Sequence, residues 1–598
     1  MHGEHPSNVV KEHAPRLEEY HNKVNEHEVL NMVFGDLGDN IDTIIQDPSV
    51  TPEGEDVFEV NVDTKFQENL QEAMTPLYPG CEGFTVLTFI IKLFNLKVNH
   101  GWSQKSFTEL LQLLHMVLPP GNKTPYNTYR AQKIIKKLCL DYQKIHACPN
   151  DCILYWRENE SKSSCPTCGT SRYKIDGGSS TKRNCVPRKV LRYFPLTPRL
   201  QRFYSVSWVA KEMIWHKTGR TTIVGEMRHP VDSMTWKQVD YKYTGFSHEP
   251  HNLRLGLATD GFNPFGTFSS GYSCWPVMCV TYNLPPTLCM KPQFTMLTLL
   301  IDGPRQPGKD IDVYLQPLIA ELKDLWQNGA QTYDAYNGKK FNMRAILLWT
   351  IHDFPAYGNI SGCKTKGKFA CPCCGPNTDS LRLRYGKKDV YMGHRRWLPF
   401  KDELRKDTRA STFNKKEELR GQPKSLTGIE VEKMTSKLNM QWGKTKLKRK
   451  RVEKGDEEDV NVDGPVCFYK RSIFFELEYW KHITVRHNLD VMHIEKNMCG
   501  NLIALMLNTK GKTKDDADAR KYLKDLRIKD QLWLKKQNEK EIQKPSRFWL
   551  RKEEKKMFLQ TLHDLRVLVG FVSNLKNIVT EDTLELKGMK SHGYHILM

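Results

Sequence analysis

Two stretches decide how this chain folds: Leu253-Arg-Leu-Gly-Leu-Ala-Thr-Asp260 and Ala345-Ile-Leu-Leu-Trp-Thr-Ile-His-Asp353. Each is an apolar run of strand length closed by an aspartate, so each predicts a buried strand that carries a carboxylate to the edge of a sheet. Between them, Met296 to Ile301 predicts another strand, and Val313 to Gln327 sets apolar residues at helical spacing. Strand, helix and strand in that order predict an α/β layer with a crossover. If the two strands are neighbours, Asp260 and Asp353 converge and can hold two divalent cations roughly 4 Å apart, the arrangement that clamps the attacking and leaving oxygens of a phosphoryl displacement. Hard Mg²⁺ or Mn²⁺ suits such oxygen ligands. An aspartate before Gly261 or near Pro355 also fits an ordinary turn, so the pattern alone does not choose.

Upstream, Cys148-x3-Cys152 and Cys165-x2-Cys168 supply four thiols in two close pairs with Pro149, Pro166 and Gly169 at the turns. That spacing predicts a structural Zn²⁺ knuckle, closed to catalysis because all four positions are filled. Downstream, Cys371-Pro-Cys-Cys374 is followed at a distance by His487 and His493, and Cys371, Cys374, His487 and His493 form a candidate second zinc set. A cysteine pair on a loop with unrelated histidines fits the same residues. With 16 cysteines, many in tight pairs, the chain reads as one of reduced thiols and metal ligands, not of disulfides.

The formal charge is +21 over 598 residues, yet residues 1–75 carry 17 acids against 4 Lys and Arg. The remainder is therefore strongly basic, which favours a polyanionic partner through release of condensed counterions. The start is polar, and the greasiest run, Phe84 to Val98, contains Lys92 and Lys97. Neither secretion nor a membrane span is expected.

These features divide the chain into an acidic, partly disordered segment (1–75), a helical domain (76–145), the zinc knuckle (146–187), a β-rich core (188–375), a charged insertion or linker (376–465) and a last part (466–598) that completes the core and adds a helical segment. In the helical domain Ser106 and Glu109 form a capping-box pattern ahead of Leu110 and Leu111. The run Lys444-Thr-Lys-Leu-Lys-Arg-Lys-Arg451 suits nuclear import or phosphate contact. Lys133, Lys136, Lys137 and the cations from Arg188 to Arg202 are expected to hold a phosphate backbone.

Six blocks resemble the large transposase of plant CACTA (En/Spm-type) elements. They are Ala147-Cys-Pro-Asn-Asp-Cys-Ile-Leu-Tyr-Trp156, Leu191-Arg-Tyr-Phe-Pro-Leu-Thr-Pro-Arg-Leu200, Asp260-Gly-Phe-Asn-Pro-Phe265, Gln306-Pro-Gly-Lys-Asp-Ile-Asp-Val-Tyr-Leu315, Trp349-Thr-Ile-His-Asp-Phe-Pro-Ala-Tyr-Gly358 and His487-Asn-Leu-Asp-Val-Met-His-Ile-Glu-Lys-Asn497. The likeness covers about residues 77 to 500. It implies an RNase H-like DDE/D core that cuts element ends and joins them to target DNA, with Asp260 and Asp353 as the first two acids. The third lies in the last block, Glu495 being preferred to Asp490, or on a helix further downstream. Related transposases carry a zinc-binding Cys and His insert between the second and third acids, which Cys371, Cys374, His487 and His493 fit. The resemblance also implies a nuclear protein whose partners are transposon ends, target DNA, an element-encoded accessory DNA-binding protein and further copies of itself. Relatives run on past the segment ending at Met598, so a C-terminally truncated and catalytically inactive DNA- or protein-binding remnant is the alternative. Cys363 stands where the family suggests an aromatic residue, and Asp302 where it suggests a proline.

Overall fold

The computed structural model describes residues 68–69, 71–137, 142–174, 186–223, 225–263, 271–409, 413, 415–438, 442–443, 467–537, 540–565, 578–580, 584–586, 588–589 and 591–597. The acidic segment up to residue 67 and the basic run Lys444 to Arg451 lie outside the described residues. The chain divides into two compact units, Met1–Leu348 with Trp442–Leu447, and Trp349–Gln441 with Lys448–Met598.

The first unit begins with three helices, α1 (Val86–Asn99), α2 (Gln104–Val117) and α3 (Thr128–Lys137). Val86, Ile90, Leu93, Phe107, Leu111 and Ala131 meet in one buried cluster, as helical spacing requires. The cap of α2 is Ser103, which accepts from the Ser106 N–H at 3.1 Å. The helix thus starts a turn before the Ser106–Glu109 pattern, because Gln104 and Lys105 continue it without conflict.

A sheet follows, built from β1 (Gln143–His146), β2 (Val190–Tyr193), β3 (Leu253–Thr259), β4 (Trp275–Thr281), β5 (Thr295–Ile301) and β8 (Ala345–His352). Its order is β1-β2-β5-β4-β3-β8. The pairs β1/β2, β2/β5, β5/β4 and β4/β3 are all antiparallel. At the start of β3 the Leu253 N–H donates to the Arg344 carbonyl at 2.8 Å, so β3 and β8 begin side by side. β3, β5 and the first residues of β8 are buried almost without alternation. Strands covered on both faces read as unbroken apolar runs, which is why these three were the legible ones. β4 alternates, burying Trp275, Val277, Cys279 and Thr281.

The segment between β2 and β3 is helical, with α4 (Leu196–Ser205), α5 (Ser207–Met213) and α6 (Met234–Lys242). A β-rich 188–375 with a helix only at Val313 to Gln327 was expected; here Leu200, Phe203, Tyr204, Val209 and Met213 are also buried from helices. Arg192, Arg199 and Arg202 are buried as well, which corrects the expectation that they face phosphate. Arg192 is instead ion-paired with Asp302, the residue standing where the resemblance suggested proline. Between β5 and β8 lies α7 (Asp312–Gln327), whose Val313, Leu315, Leu318, Ile319, Leu322 and Leu325 are buried. A hairpin, β6 (Ala330–Asp334) with β7 (Lys339–Met343), leads from it into β8.

Two polar features set the position of β3. Arg254 is fully buried against the rings of Trp236 and Phe246, 4.6 and 5.0 Å from their centroids, and pairs with Asp240 at 2.6 Å. Gly256 leaves room for the Tyr282 ring, whose hydroxyl occupies the place a Cβ would need.

In the second unit the end of β8 leads into α8 (Phe354–Ser361), stopped by Gly362 at φ 76°. The 376–438 part of the expected insertion holds a hairpin, β9 (Ser380–Arg382) with β10 (Asp389–Tyr391), and a helix, α9 (Gly428–Thr435). Its interior is organised by two buried guanidiniums. Arg395 donates to the carbonyls of Leu404 and Asp407, and Arg405 to those of Arg395 and Arg420. After a buried aromatic turn containing Phe474, Tyr479 and Trp480, β11 (His487–Leu489) runs parallel to β8. Then come α10 (Val491–Met506), α11 (Ala517–Asp525), α12 (Lys552–Asp564) and α13 (Ser591–Leu597). Cys499, Ile503, Leu507 and Leu559 form a core shared by α10, α12 and α13. The whole is mixed α/β, with antiparallel and parallel pairs and helices between strands.

Asp240→Ala leaves the Arg254 charge buried without its carboxylate, a change that typically costs about 3 kcal/mol or more. Urea unfolding of the variant is expected to show that loss, whereas the same substitution at the exposed Lys237 is expected to stay within about 0.5 kcal/mol of the parent.

Candidate metal centres at the strand ends and in the cysteine knuckle

Asp260 follows β3 in the first unit, exposed, with its Oδ1 accepting from the Gly261 N–H at 2.6 Å. The strand beneath it is buried, so the backbone position is fixed while the carboxylate reaches solvent.

In the second unit two acids follow two parallel neighbours. β8 and β11 pair His487 with Thr350, Asn488 with Ile351 and Leu489 with His352. The Asp490 N–H extends the ladder by donating to the His352 carbonyl at 2.8 Å. That register puts Asp353 and Asp490 side by side at the ends of adjacent strands. Each then caps a helix: Asp353 Oδ1 accepts from the Ala356 N–H at 2.8 Å to open α8, and Asp490 Oδ1 from the Met492 N–H at 2.9 Å to open α10. The positive end of each helix favours a charged carboxylate at its cap. Asp490 Oδ2 also meets His493 Nδ1 at 2.9 Å, and a ligand nitrogen of His493 lies within 4.8 Å of a carboxylate oxygen of Asp353. Asp353, Asp490 and His493 therefore form one polar cluster.

Glu495 lies two residues beyond His493, about 200° further around the helix. Its carboxylate is hydrogen-bonded to His595 of α13, on the side of α10 that packs against the terminal helices. Of the two candidate third acids, Asp490 shares the strand-end cluster and Glu495 does not.

The other histidine of the predicted second zinc set sits elsewhere. His487 Nδ1 is 2.7 Å from Thr350 Oγ1, and the ring packs against Tyr357, Phe474 and Trp480 with centroids 5.6, 6.2 and 5.5 Å away. Burial and the neighbouring Arg486 hold its pKa well below the usual imidazole range. Cys371 and Cys374 stay together after α8, the Cys374 N–H donating to Cys371 Sγ at 3.3 Å. Hydrogen bonding from Cys373 and from this N–H lowers the Cys371 thiol to about 5. Among the described residues, Cys371, Cys374, His487 and His493 do not gather into a ligand group of three or more.

The knuckle cysteines do gather. One Sγ from each of Cys148, Cys152, Cys165 and Cys168 lies within 4.8 Å of the others, the first three residues being buried. Cys148 Sγ and Cys168 Sγ are 3.5 Å apart. Thiolates about 2.3 Å from a tetrahedral zinc stand some 3.8 Å from each other, so this set fits one soft cation. Two tight turns build it, closed by Asp151 N–H to Cys148 carbonyl and Gly169 N–H to Cys165 carbonyl, with Gly169 at φ 71°. Burial pushes the Cys148 thiol up to about 11; at Cys168 burial is outweighed by hydrogen bonds from Asn150 and Thr170, which bring it down to about 6. Burial raises the Cys152 thiol as well, so without a cation Cys148 and Cys152 remain protonated near neutral pH.

The knuckle is tied to the sheet by Asp151, between two of its cysteines, which accepts from Lys189 at 2.6 Å and from the Tyr314 hydroxyl of α7. Arg172 Nε donates to His146 Nδ1 at 2.8 Å on β1. Gly443, at φ 86°, lies against the Cys152 carbonyl, where a Cβ would collide with the oxygen. Sequence reading did not single out Asp151 or Gly443 and placed Lys189 among the cations expected to hold phosphate, whereas it is buried and paired here; pairs this far apart leave no local pattern.

Residues 224–438 match the model of the Transposase family tnp2. The matched stretch contains both strand-end aspartates named from the sequence, Asp260 and Asp353, and supports a transposase family for this chain. Such a family implies DNA binding. No curated protein matches. No helix among the described residues is long and apolar enough to cross a membrane.

Burial and the charge of Arg172 lower the pKa of His146 to about 4. The unfolded chain takes up this proton near 6.5 and the folded one resists it, so stability is complete above 6.5 and falls as the pH drops from 6.5 through 4. Urea titrations at pH 7 and pH 5 are expected to differ by roughly 1–2 kcal/mol, and His146→Asn, which keeps an acceptor for Arg172, is expected to shrink the difference.

Proposed function

We propose that this chain has the DDE/D core of a CACTA-like plant transposase and cuts and joins DNA by two-metal phosphoryl transfer. The observation that carries the reading is the pairing of β8 with β11, which lines up Asp353 and Asp490 on two capped helices. An antiparallel meander, a crossover helix and two further strands is the order expected of an RNase H-like core, and β3-β4-β5, α7, β8 and β11 follow it. Asp260, at the end of β3, is the first acid and Asp353 the second. Asp490 is preferred here to Glu495 as the third, because Glu495 is committed to His595.

Two Mg²⁺ or Mn²⁺ ions, when bound, neutralise the phosphate and activate water or a DNA 3′-hydroxyl for in-line attack. The protein's part is positioning. The cap bonds of Asp353 and Asp490 fix the rotamers of both carboxylates, and the Asp490–His493 contact restrains the imidazole beside them. Exposed cations outside the buried Arg192, Arg199 and Arg202 hold the DNA backbone; Arg188 and Lys133 are of this kind. The reading carries with it a nuclear location and element ends and target as DNA partners. It also carries an accessory DNA-binding protein and self-association.

Nicking and strand transfer on DNA bearing element ends, assayed in Mn²⁺, are expected to fall below about one per cent of the parent in Asp260→Ala and in Asp353→Ala, since bound metals supply several kcal/mol of transition-state stabilisation. Asp490→Asn is expected to match them and Glu495→Gln to retain activity. Activity unchanged by the first two substitutions overturns the assignment, and inactivity of the parent alongside salt-dependent DNA binding points to the inactive remnant.

For the knuckle we propose a structural Zn²⁺ held by Cys148, Cys152, Cys165 and Cys168. Metal analysis of the dialysed protein is expected to find a zinc equivalent that Cys165→Ser loses, with a fall in thermal stability. A second equivalent that survives Cys165→Ser and disappears in Cys371→Ser is expected if the Cys371 cluster also binds metal.

A further inference from the structure

The folded stretch between β9 and α9 is unusually positive: residues 379–424 hold fourteen Lys and Arg against seven Asp and Glu. Four of the acids are spent within the lobe, Asp379 and Glu418 on Arg420, Asp389 on Arg382 and Asp407 on Arg409. Asp402 caps a short helical turn by accepting from the Leu404 N–H, which leaves Glu403 and Glu417 as the exposed acids of a stretch that also exposes Lys401, Lys406, Lys415 and Lys416.

Two aromatic side chains stand out of this surface. Phe400 is 70% exposed and Trp397 43%. An exposed ring is ordinarily mobile, but Phe400 is backed by the Arg405 guanidinium, 5.2 Å from its centroid. Arg405 is itself immobile, being buried and bonded to the carbonyls of Arg395, Leu398 and Arg420. Trp397 belongs to the same turn, whose Arg395 is buried and held by the carbonyls of Leu404, Arg405, Asp407 and Lys416. The fold thus backs the Phe400 ring without covering it and holds the turn that carries Trp397, with the cations Arg396, Lys401 and Lys406 nearby in sequence.

A rigid open ring beside Lys and Arg is the combination that binds unpaired nucleotides: the base stacks on the aromatic face and the cations take the phosphates. Duplex DNA keeps its bases stacked on one another and offers no free face. A protein partner would use the surplus of cations only if it were strongly acidic, and the lobe would then show no preference between single-stranded and duplex DNA. We propose that Phe400 and Trp397 form a stacking platform for single-stranded DNA, with Lys401 and Lys406 on the backbone. The assignment goes beyond cleavage and stands whether or not the chain is catalytically active.

The full-length protein, in metal-free buffer so that cleavage plays no part, can be titrated by fluorescence anisotropy against a labelled pyrimidine oligonucleotide and against the same sequence as a duplex. Phe400→Ala is expected to weaken single-strand binding about tenfold and duplex binding less than twofold, with Trp397→Ala acting in the same direction. Phe400→Trp is expected to restore single-strand affinity. Lys401→Gln is expected to reduce the salt dependence of single-strand binding by roughly one phosphate contact. An unchanged thermal melt for Phe400→Ala, expected of so exposed a ring, separates lost stacking from lost folding. Equal losses on single strand and duplex, or no loss on either, overturn the platform.

Discussion

The parallel ladder between β8 and β11 is the constraint on which the chemistry of the second unit depends. Three residue pairs and one further bond, Asp490 N–H to His352 carbonyl, are all that register rests on. A slip by a single residue would turn Asp490 to the opposite face, because side chains alternate along a strand. The slip is opposed from both sides of the short strand. His487 is packed among Tyr357, Phe474 and Trp480 and hydrogen-bonded to Thr350, and the cap bond of Asp490 starts α10 at a defined residue. A histidine that looked like a metal ligand in sequence thus keeps the register of the strand that carries an acid.

What could be read from the sequence follows burial. β3, β5 and β8 are covered on both faces, so their apolar runs were unambiguous, and α7 was plain from its spacing. The four knuckle cysteines were legible because they come in two close pairs, and the structure gathers all four. The helices between β2 and β3 were not, because aromatic and β-branched residues such as Phe203, Tyr204 and Val209 suit strands by propensity and are helical here by tertiary packing. The side of α10 on which Glu495 falls could not be read either, since it depends on where α13 docks.

Charge misled in a consistent way. Arg192, Arg199, Arg202, Arg254, Arg395 and Arg405 are counted in any sequence tally as surface cations, yet all are buried. Arg192 and Arg254 pair with single carboxylates, while Arg395 and Arg405 collect backbone carbonyls in place of an apolar core. A guanidinium can satisfy several carbonyls at once and still present its flat face to a ring, which lysine cannot do. The low apolar content of 376–465 therefore marked a different kind of interior at 376–438, where the described residues are folded.

Gly443 gives the chain an order of assembly. It lies against the Cys152 carbonyl, so the cover over the cysteine knuckle comes from a residue made long after the knuckle itself. During synthesis the four thiols are complete well before that residue exists, and everything from β8 to α9 is made in between. The Cys152 carbonyl is thus covered only when Gly443 arrives, whereas Cys168 remains exposed even in the finished fold.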